Sequence, residues 1–269
     1  MIFLLLKLFL LISLIIVLTQ DLQVYPLAFS SLFYKKQNRD PETLPNGVQS
    51  FFLETPDNNK IEVWHVPAHI ENKRNETVLI FHGNGELVDT NIDQQRWFAE
   101  HGWDSYSFDY RGYGRSNGWP SEKGISLDSD AVWNYLKDKT TPDKTILVGY
   151  SLGSAPAARL ASIIKPKTLL IIAGYASVRK VVLDRIIFAP LIFFLWTKFS
   201  TIEYVSKLEA TNLIITHGKA DLVVRFHHMQ EISKHYKGTG RLITIEHDTA
   251  SHLEIFWLTK QKLLKELIT

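Results

Sequence analysis

The chain has 269 residues, of which 45% are hydrophobic and 22% charged, and its formal net charge is +2. That balance is the balance of an ordinary globular protein large enough for one sizeable core, and it excludes a disordered chain or a densely basic nucleic-acid binder. The absence of cysteine excludes disulfides, thiolate catalysis and cysteine-based metal sites.

In chain order, the first element is apolar. Met1 to Thr19 (MIFLLLKLFLLISLIIVLT) is interrupted only by Lys7, Ser13 and Thr19, close to the length a helix needs to cross a bilayer. A cleaved secretory signal is the rival reading, but no Ala-x-Ala-like site follows in Gln20-Asp21-Leu22-Gln23. The expectation is therefore a single-pass membrane anchor over residues 1–19. Its orientation stays open, because Lys7 and the terminal amine favour a cytoplasmic start while Lys35, Lys36 and Arg39 pull the other way. The sequon Asn75-Glu76-Thr77 would suit a lumenal domain. Residues 20–45 read as a polar linker carrying Pro26, Pro41 and Pro45.

Residues 46–269 read as one α/β domain. Val48–Glu54 and Ile61–Val66 flank the turn cluster Pro56-Asp57-Asn58-Asn59 and predict a hairpin. Thr77–Phe81 is a buried strand, Val88–His101 a helix stopped by Gly102, and Ser105–Phe108 a strand. Ser121–Lys139 is a helix with Ser121 as its cap. The strand Thr145–Tyr150, the helix Ser154–Ile164 with Pro156 in its first turn, and the strand Thr168–Ala173 follow. Asn212–Thr216 and Leu242–Glu246 are further strands. His252–Ile268 closes the chain as an amphipathic helix with Leu253, Phe256, Leu263, Leu264 and Leu267 on its apolar side. The alternation predicts a mostly parallel sheet with helices on both faces and an antiparallel N-terminal hairpin at one edge.

Residues 178–206 break this rhythm. Within Val181–Phe199, the apolar run Ile186–Trp196 is interrupted by Pro190, too short and too broken for a second span. It reads either as a buried crossover helix or as a lid-like insertion that lines an acyl pocket or touches the membrane.

The chemistry concentrates at Gly149-Tyr150-Ser151-Leu152-Gly153, a Gly-x-Ser-x-Gly run placed between a strand and a helix. That junction is where a serine oxygen is held out on a sharp turn as a nucleophile. A serine hydroxyl needs a base within hydrogen-bond reach and the base needs a carboxylate to orient it, supplied by loops after later strands in the order serine, acid, histidine. Asp221, after the strand Asn212–Thr216, is the first choice for the acid, ahead of Asp248 and Asp184. His252, after the last strand, is the first choice for the base, ahead of His247. His227 and His228 open a helix and read as surface residues. For the oxyanion, one N–H is expected from Leu152 and a second from His82-Gly83-Asn84-Gly85, at Asn84 with Gly85 as the alternative. His82 reads as a buttress of that loop. No histidine or carboxylate set stands at metal-ligand spacing, so neither a metal nor a cofactor is expected.

These motifs occur in the order His82-Gly83-Asn84-Gly85, then Asp109-Tyr110-Arg111-Gly112-Tyr113-Gly114-Arg115-Ser116, the Ser151 run, His217-Gly218-Lys219-Ala220-Asp221, and His252. In that order the chain resembles the membrane-anchored α/β-hydrolase-domain proteins, the branch that includes lysophosphatidylserine lipases and protein depalmitoylases. The resemblance spans about residues 45–268 and departs at Tyr150, Ser251 and Leu253. It implies the α/β-hydrolase fold, a Ser151–His252–Asp221 triad, structural roles for Asp109 and Arg111, and an N-terminal anchor. The implied activity is hydrolysis of an ester or thioester of an acyl lipid or acyl protein, with no nucleic-acid partner. The alternative is a catalytically silent membrane scaffold of the same fold.

Overall fold

The computed structural model of the protein describes residues 44–184 and 197–269, together with Lys7 and Tyr25. Apart from those two residues and the last of the linker, the predicted anchor and linker lie outside the described residues, as do residues 185–196 of the insertion. Among the described residues no helix is long and apolar enough to cross a membrane.

The turn cluster near the start makes the hairpin. Thr55 Oγ1 accepts the Asn59 N–H at 3.0 Å and donates to Asp57 at 2.6 Å, while Asn58 takes a left-handed φ of 62°. This joins β1 (Gln49–Glu54) to β2 (Lys60–Val66) in antiparallel register. The later strands are β3 (Thr77–Phe81), β4 (Asp104–Phe108), β5 (Thr145–Tyr150), β6 (Thr168–Ile172), β7 (Asn212–Gly218) and β8 (Leu242–His247). They pair in parallel, β2 joins β4 antiparallel, and the order across the sheet is β1-β2-β4-β3-β5-β6-β7-β8.

The central strands are continuous apolar runs because both faces are covered. Strand alternation sends Leu79, Phe81, Leu147, Leu169 and Ile171 into one core and Val78, Ile80, Ile146, Val148, Leu170 and Ile172 into the other. The first core is closed by α2 (Glu122–Leu136), α3 (Ser154–Ile164) and α6 (His227–His235). They bring Ile125, Val132, Ala158, Leu160, Met229 and Ile232. Ser121 caps α2 by accepting the Gly124 N–H at 3.0 Å. The second core is closed by α1 (Ile92–Glu100) and α7 (Ile255–Ile268), through Trp97, Phe98, Phe256, Leu263 and Leu267. Two short helices, α4 (Val178–Leu183) and α5 (Thr201–Val205), flank the undescribed part of the insertion.

Three helix boundaries differ from the sequence reading. α1 starts at Ile92 rather than Val88, because the Thr90 hydroxyl accepts from Leu87 N–H at 2.8 Å and donates to Leu87 O at 2.9 Å, closing a separate turn first. α2 ends at Leu136, short of Lys139. α7 starts at Ile255 rather than His252, since the Glu254 carboxylate accepts the Ser251 N–H at 3.2 Å and holds residues 251–254 in a turn. Leu253 therefore lies outside the apolar face of α7 and is 70% exposed.

Candidate active site

The parallel strands β3, β5, β7 and β8 all end at one edge of the sheet, the edge where ligands bind in open α/β sheets. Each predicted site residue follows one of those ends.

Ser151 comes directly after β5 and adopts φ +47°, a left-handed conformation that a serine rarely takes. The flanking glycines make it sterically feasible. A Cβ on Gly149 would lie 2.7 Å from Gly153 O and one on Gly153 would lie 2.1 Å from Phe81 O. The chain thus turns sharply against β3 and lifts the Ser151 side chain out of the strand-to-helix junction.

His252 meets it. The Ser151 hydroxyl is 2.9 Å from His252 Nε2, and His252 Nδ1 is 2.7 Å from Asp221 Oδ2. A carboxylate can only accept, so Nδ1 carries the proton and Nε2 presents a lone pair to the hydroxyl. Asp221 is buried and fully engaged: Oδ1 accepts the N–H groups of Val223 at 2.8 Å and Val224 at 2.9 Å. Burial pushes its carboxyl up, but hydrogen bonds from His217 and His252 outweigh that and hold it well below the usual carboxylate range. The alignment suits proton transfer from Ser151 to His252, with Asp221 stabilising the resulting charge.

His217, at the end of β7, has no role in the sequence reading. Its Nε2 lies 3.3 Å from Asp221 Oδ2 and 2.8 Å from Val224 O, inside the Asp221 loop. Its place at a strand end four residues before the acid is the signal that could have found it. Tyr150 is a second such residue: its hydroxyl donates to the His252 carbonyl, tying β5 to the histidine loop.

The loop after β3 is held from three sides. His82 Nδ1 donates to Gly83 O at 2.7 Å, Tyr110 OH donates to His82 O at 2.9 Å, and Tyr113 OH donates to the Asn84 side-chain oxygen at 2.8 Å. Burial pushes His82 down to about 4, with the Gly83 carbonyl opposing, so it is a neutral buttress. Leu152 begins the turn before α3, and its neighbour Gly153 rests on Phe81, the last residue of β3. Asn84 and Leu152 therefore stand on adjacent segments beside Ser151.

The rival residues are engaged elsewhere. Asp248 pairs with Lys219 at 2.8 Å on the surface, and His247 Nδ1 accepts the Ala250 N–H at 3.1 Å. His228 corrects the surface reading: it is fully buried, while His227 is exposed. With Asp184 they form the one His/Asp cluster compact enough for a cation among the described residues. His228 Nδ1 accepts the Ala176 N–H at 3.2 Å, so the ring proton sits on Nε2 and donates to Asp184 at 3.1 Å. That protonated Nε2 has no lone pair for a metal, so the cluster is a hydrogen-bonded clasp between α4 and α6. Asp109 and Arg111 are structural, as expected. Asp109 Oδ1 accepts the Val88 N–H at 2.9 Å, and Arg111 bridges Asp57 at 2.7 Å and Asp128 at 2.9 Å.

Comparison with known proteins agrees with this architecture. A family model described as the alpha/beta hydrolase fold matches residues 76–231. The Escherichia coli K12 protein YfhR is 24% identical over 243 residues, covering 84% of this chain and 81% of that protein. The mouse alpha/beta hydrolase domain-containing protein 17C is 28% identical over 199 residues, covering 68% of this chain and 56% of that protein. The Pyrococcus furiosus esterase Pf2001 superposes with a TM-score of 0.67 over 86% of this chain and 92% of that one, at 20% identity, a likeness of fold.

Proposed function

The chain belongs to the α/β-hydrolase fold family, and from that premise we propose that it is a serine hydrolase that cleaves an ester or thioester through Ser151, His252 and Asp221. The observation that carries the reading is the continuous line of hydrogen bonds from the Ser151 hydroxyl through both nitrogens of His252 to Asp221, at 2.9 and 2.7 Å.

Ser151 Oγ forms a bond to the acyl carbon as its proton passes to His252 Nε2. The oxyanion is received by the N–H groups of Leu152 and Asn84. Collapse breaks the bond to the alcohol or thiol, which leaves with the proton from His252, and an acyl-Ser151 ester remains. Water then gives a proton to His252 as its oxygen bonds to the acyl carbon, and His252 returns that proton to Ser151 Oγ as the ester bond breaks and the acid departs. Asp221 stays ionised throughout and stabilises the imidazolium. The reaction calls for no cofactor.

An acyl substrate of apolar character suits the surroundings. Leu222 and Val223 next to Asp221, and Leu253 next to His252, are large apolar side chains left exposed beside the triad. Met1–Thr19 supplies a single membrane anchor that keeps this mouth near acyl lipids or acylated proteins. The test is hydrolysis of a short p-nitrophenyl ester. The native chain turns it over and Ser151→Ala does not; equal rates would overturn the reading.

A further inference from the structure

One carboxylate beside the site has no task in the mechanism above. Glu86 ends the loop that carries Asn84, and its Oε2 accepts the Gly83 N–H at 2.6 Å. The Glu86 N–H returns a bond to Gly83 O at 3.3 Å, so the two residues close a reciprocal clamp. Asn91, in the turn before α1, donates its side-chain amide to the same Oε2 at 3.3 Å and fixes the carboxylate from behind.

The clamp has two consequences. The Gly83 N–H is committed to Glu86, so the oxyanion donor from this loop falls to the next N–H, that of Asn84. The carboxylate and the Tyr150 ring also flank Gly83. A Cβ on Gly83 would lie 2.9 Å from Glu86 Oε2 and 2.9 Å from Tyr150 Cδ1, so a side chain there would displace one or the other. The Tyr150 ring stands edge-on to His252 with centroids 5.7 Å apart, and its hydroxyl holds the His252 carbonyl.

We propose that Glu86 is a positioning residue for hydrolysis, its side chain fixing the Gly83–Asn84 backbone so that the Asn84 N–H meets the oxyanion. This rests on the serine-hydrolase reading. Burial raises the Glu86 carboxyl, while the Gly83 N–H, Asn91 and His252 pull it back. The clamp needs only an acceptor oxygen on the side chain, which the acid and the carboxylate both supply.

Glu86→Ala removes the acceptor and frees the Gly83 N–H, while Glu86→Gln keeps the size and an acceptor oxygen. The expected result is a kcat reduced about tenfold in E86A with KM within about twofold of native, because an oxyanion donor acts in the transition state, and kcat restored to within about threefold of native in E86Q. Native kcat in E86A, or no recovery in E86Q, overturns the proposal. Ser151→Ala in the same series separates the two readings: if it retains turnover, the serine mechanism fails. If it is inactive while E86A is unchanged, only the role of Glu86 fails. Should E86A not fold, Glu86→Asp carries the test, since it shortens the side chain and withdraws the clamp. A lowered kcat at native KM is then expected, and a native kcat overturns the proposal.

Discussion

His217 and His252 converge on one oxygen of Asp221, with Nε2 of the first at 3.3 Å and Nδ1 of the second at 2.7 Å. Two imidazoles on one acceptor, and two backbone N–H groups on the other, keep this buried acid ionised. Asp221→Asn is expected to lower kcat by about three to four orders of magnitude, since an amide no longer enforces the Nδ1–H tautomer. A stability signature goes with it. The folded carboxyl lies below its ordinary 3.8, so its contribution is complete above that pH and is lost as pH falls through the folded value. The melting temperature gap between native protein and variant is therefore constant from neutral pH to about 4 and narrows below it. A gap that widens in acid would contradict the assignment.

Gly153→Ala tests the elbow sterically. Its Cβ would stand 2.1 Å from the Phe81 carbonyl oxygen, a backbone atom with no freedom to rotate away. The expected cost is about 2–4 kcal/mol by urea unfolding, together with loss of turnover. A variant of native stability would show that the turn after β5 does not rest on the end of β3 as described.

Arg111→Leu probes the loop after β4. Arg111 and Asp128 are both buried, and the guanidinium reaches Asp128 at 2.9 Å. Removing it strands a carboxylate in the core, at an expected cost of about 3–5 kcal/mol near pH 7.5. Burial already pushes Asp128 up to about 6 against the pull of Arg111. A raised acid costs stability above its folded pKa and is relieved as pH falls toward its unfolded value. The penalty of Arg111→Leu is therefore smaller at pH 5 than at pH 7.5, and an equal penalty at both would argue against this account.

The N-terminal run carries the membrane proposal. The full chain is expected to stay with the membrane pellet after an alkaline carbonate wash, and a chain lacking residues 1–19 to be released. Release of the full chain would refute a spanning anchor.

Much of this was legible in the sequence because buried parallel strands are unbroken apolar runs. Val78–Phe81, Ile146–Val148 and Leu169–Ile172 announce themselves without knowledge of their neighbours. The Ser151 run was legible because its glycines stand at a fixed spacing around the serine, Gly149 against Gly153 and Gly153 against Phe81. What escaped depends on distant partners or on side chains that compete with the helix. The Thr90 hydroxyl delays α1, and the Ser251–Glu254 turn keeps Leu253 out of α7. His228 reads as a surface residue at a helix start, yet it is buried because α4 brings Asp184 over it. The contacts of Glu86 with Gly83 and Asn91, and of His217 with Asp221 and Val224, lie within their own loops and depend on loop conformations that hydrophobic periodicity does not report.

The most direct test of the central claim is to react the protein with a fluorophosphonate and map the adduct by peptide mass spectrometry. The account predicts one adduct per chain, on the peptide containing Ser151, lost in Ser151→Ala and strongly slowed in His252→Ala. Absence of reaction, or modification at another residue with Ser151 untouched, would contradict it.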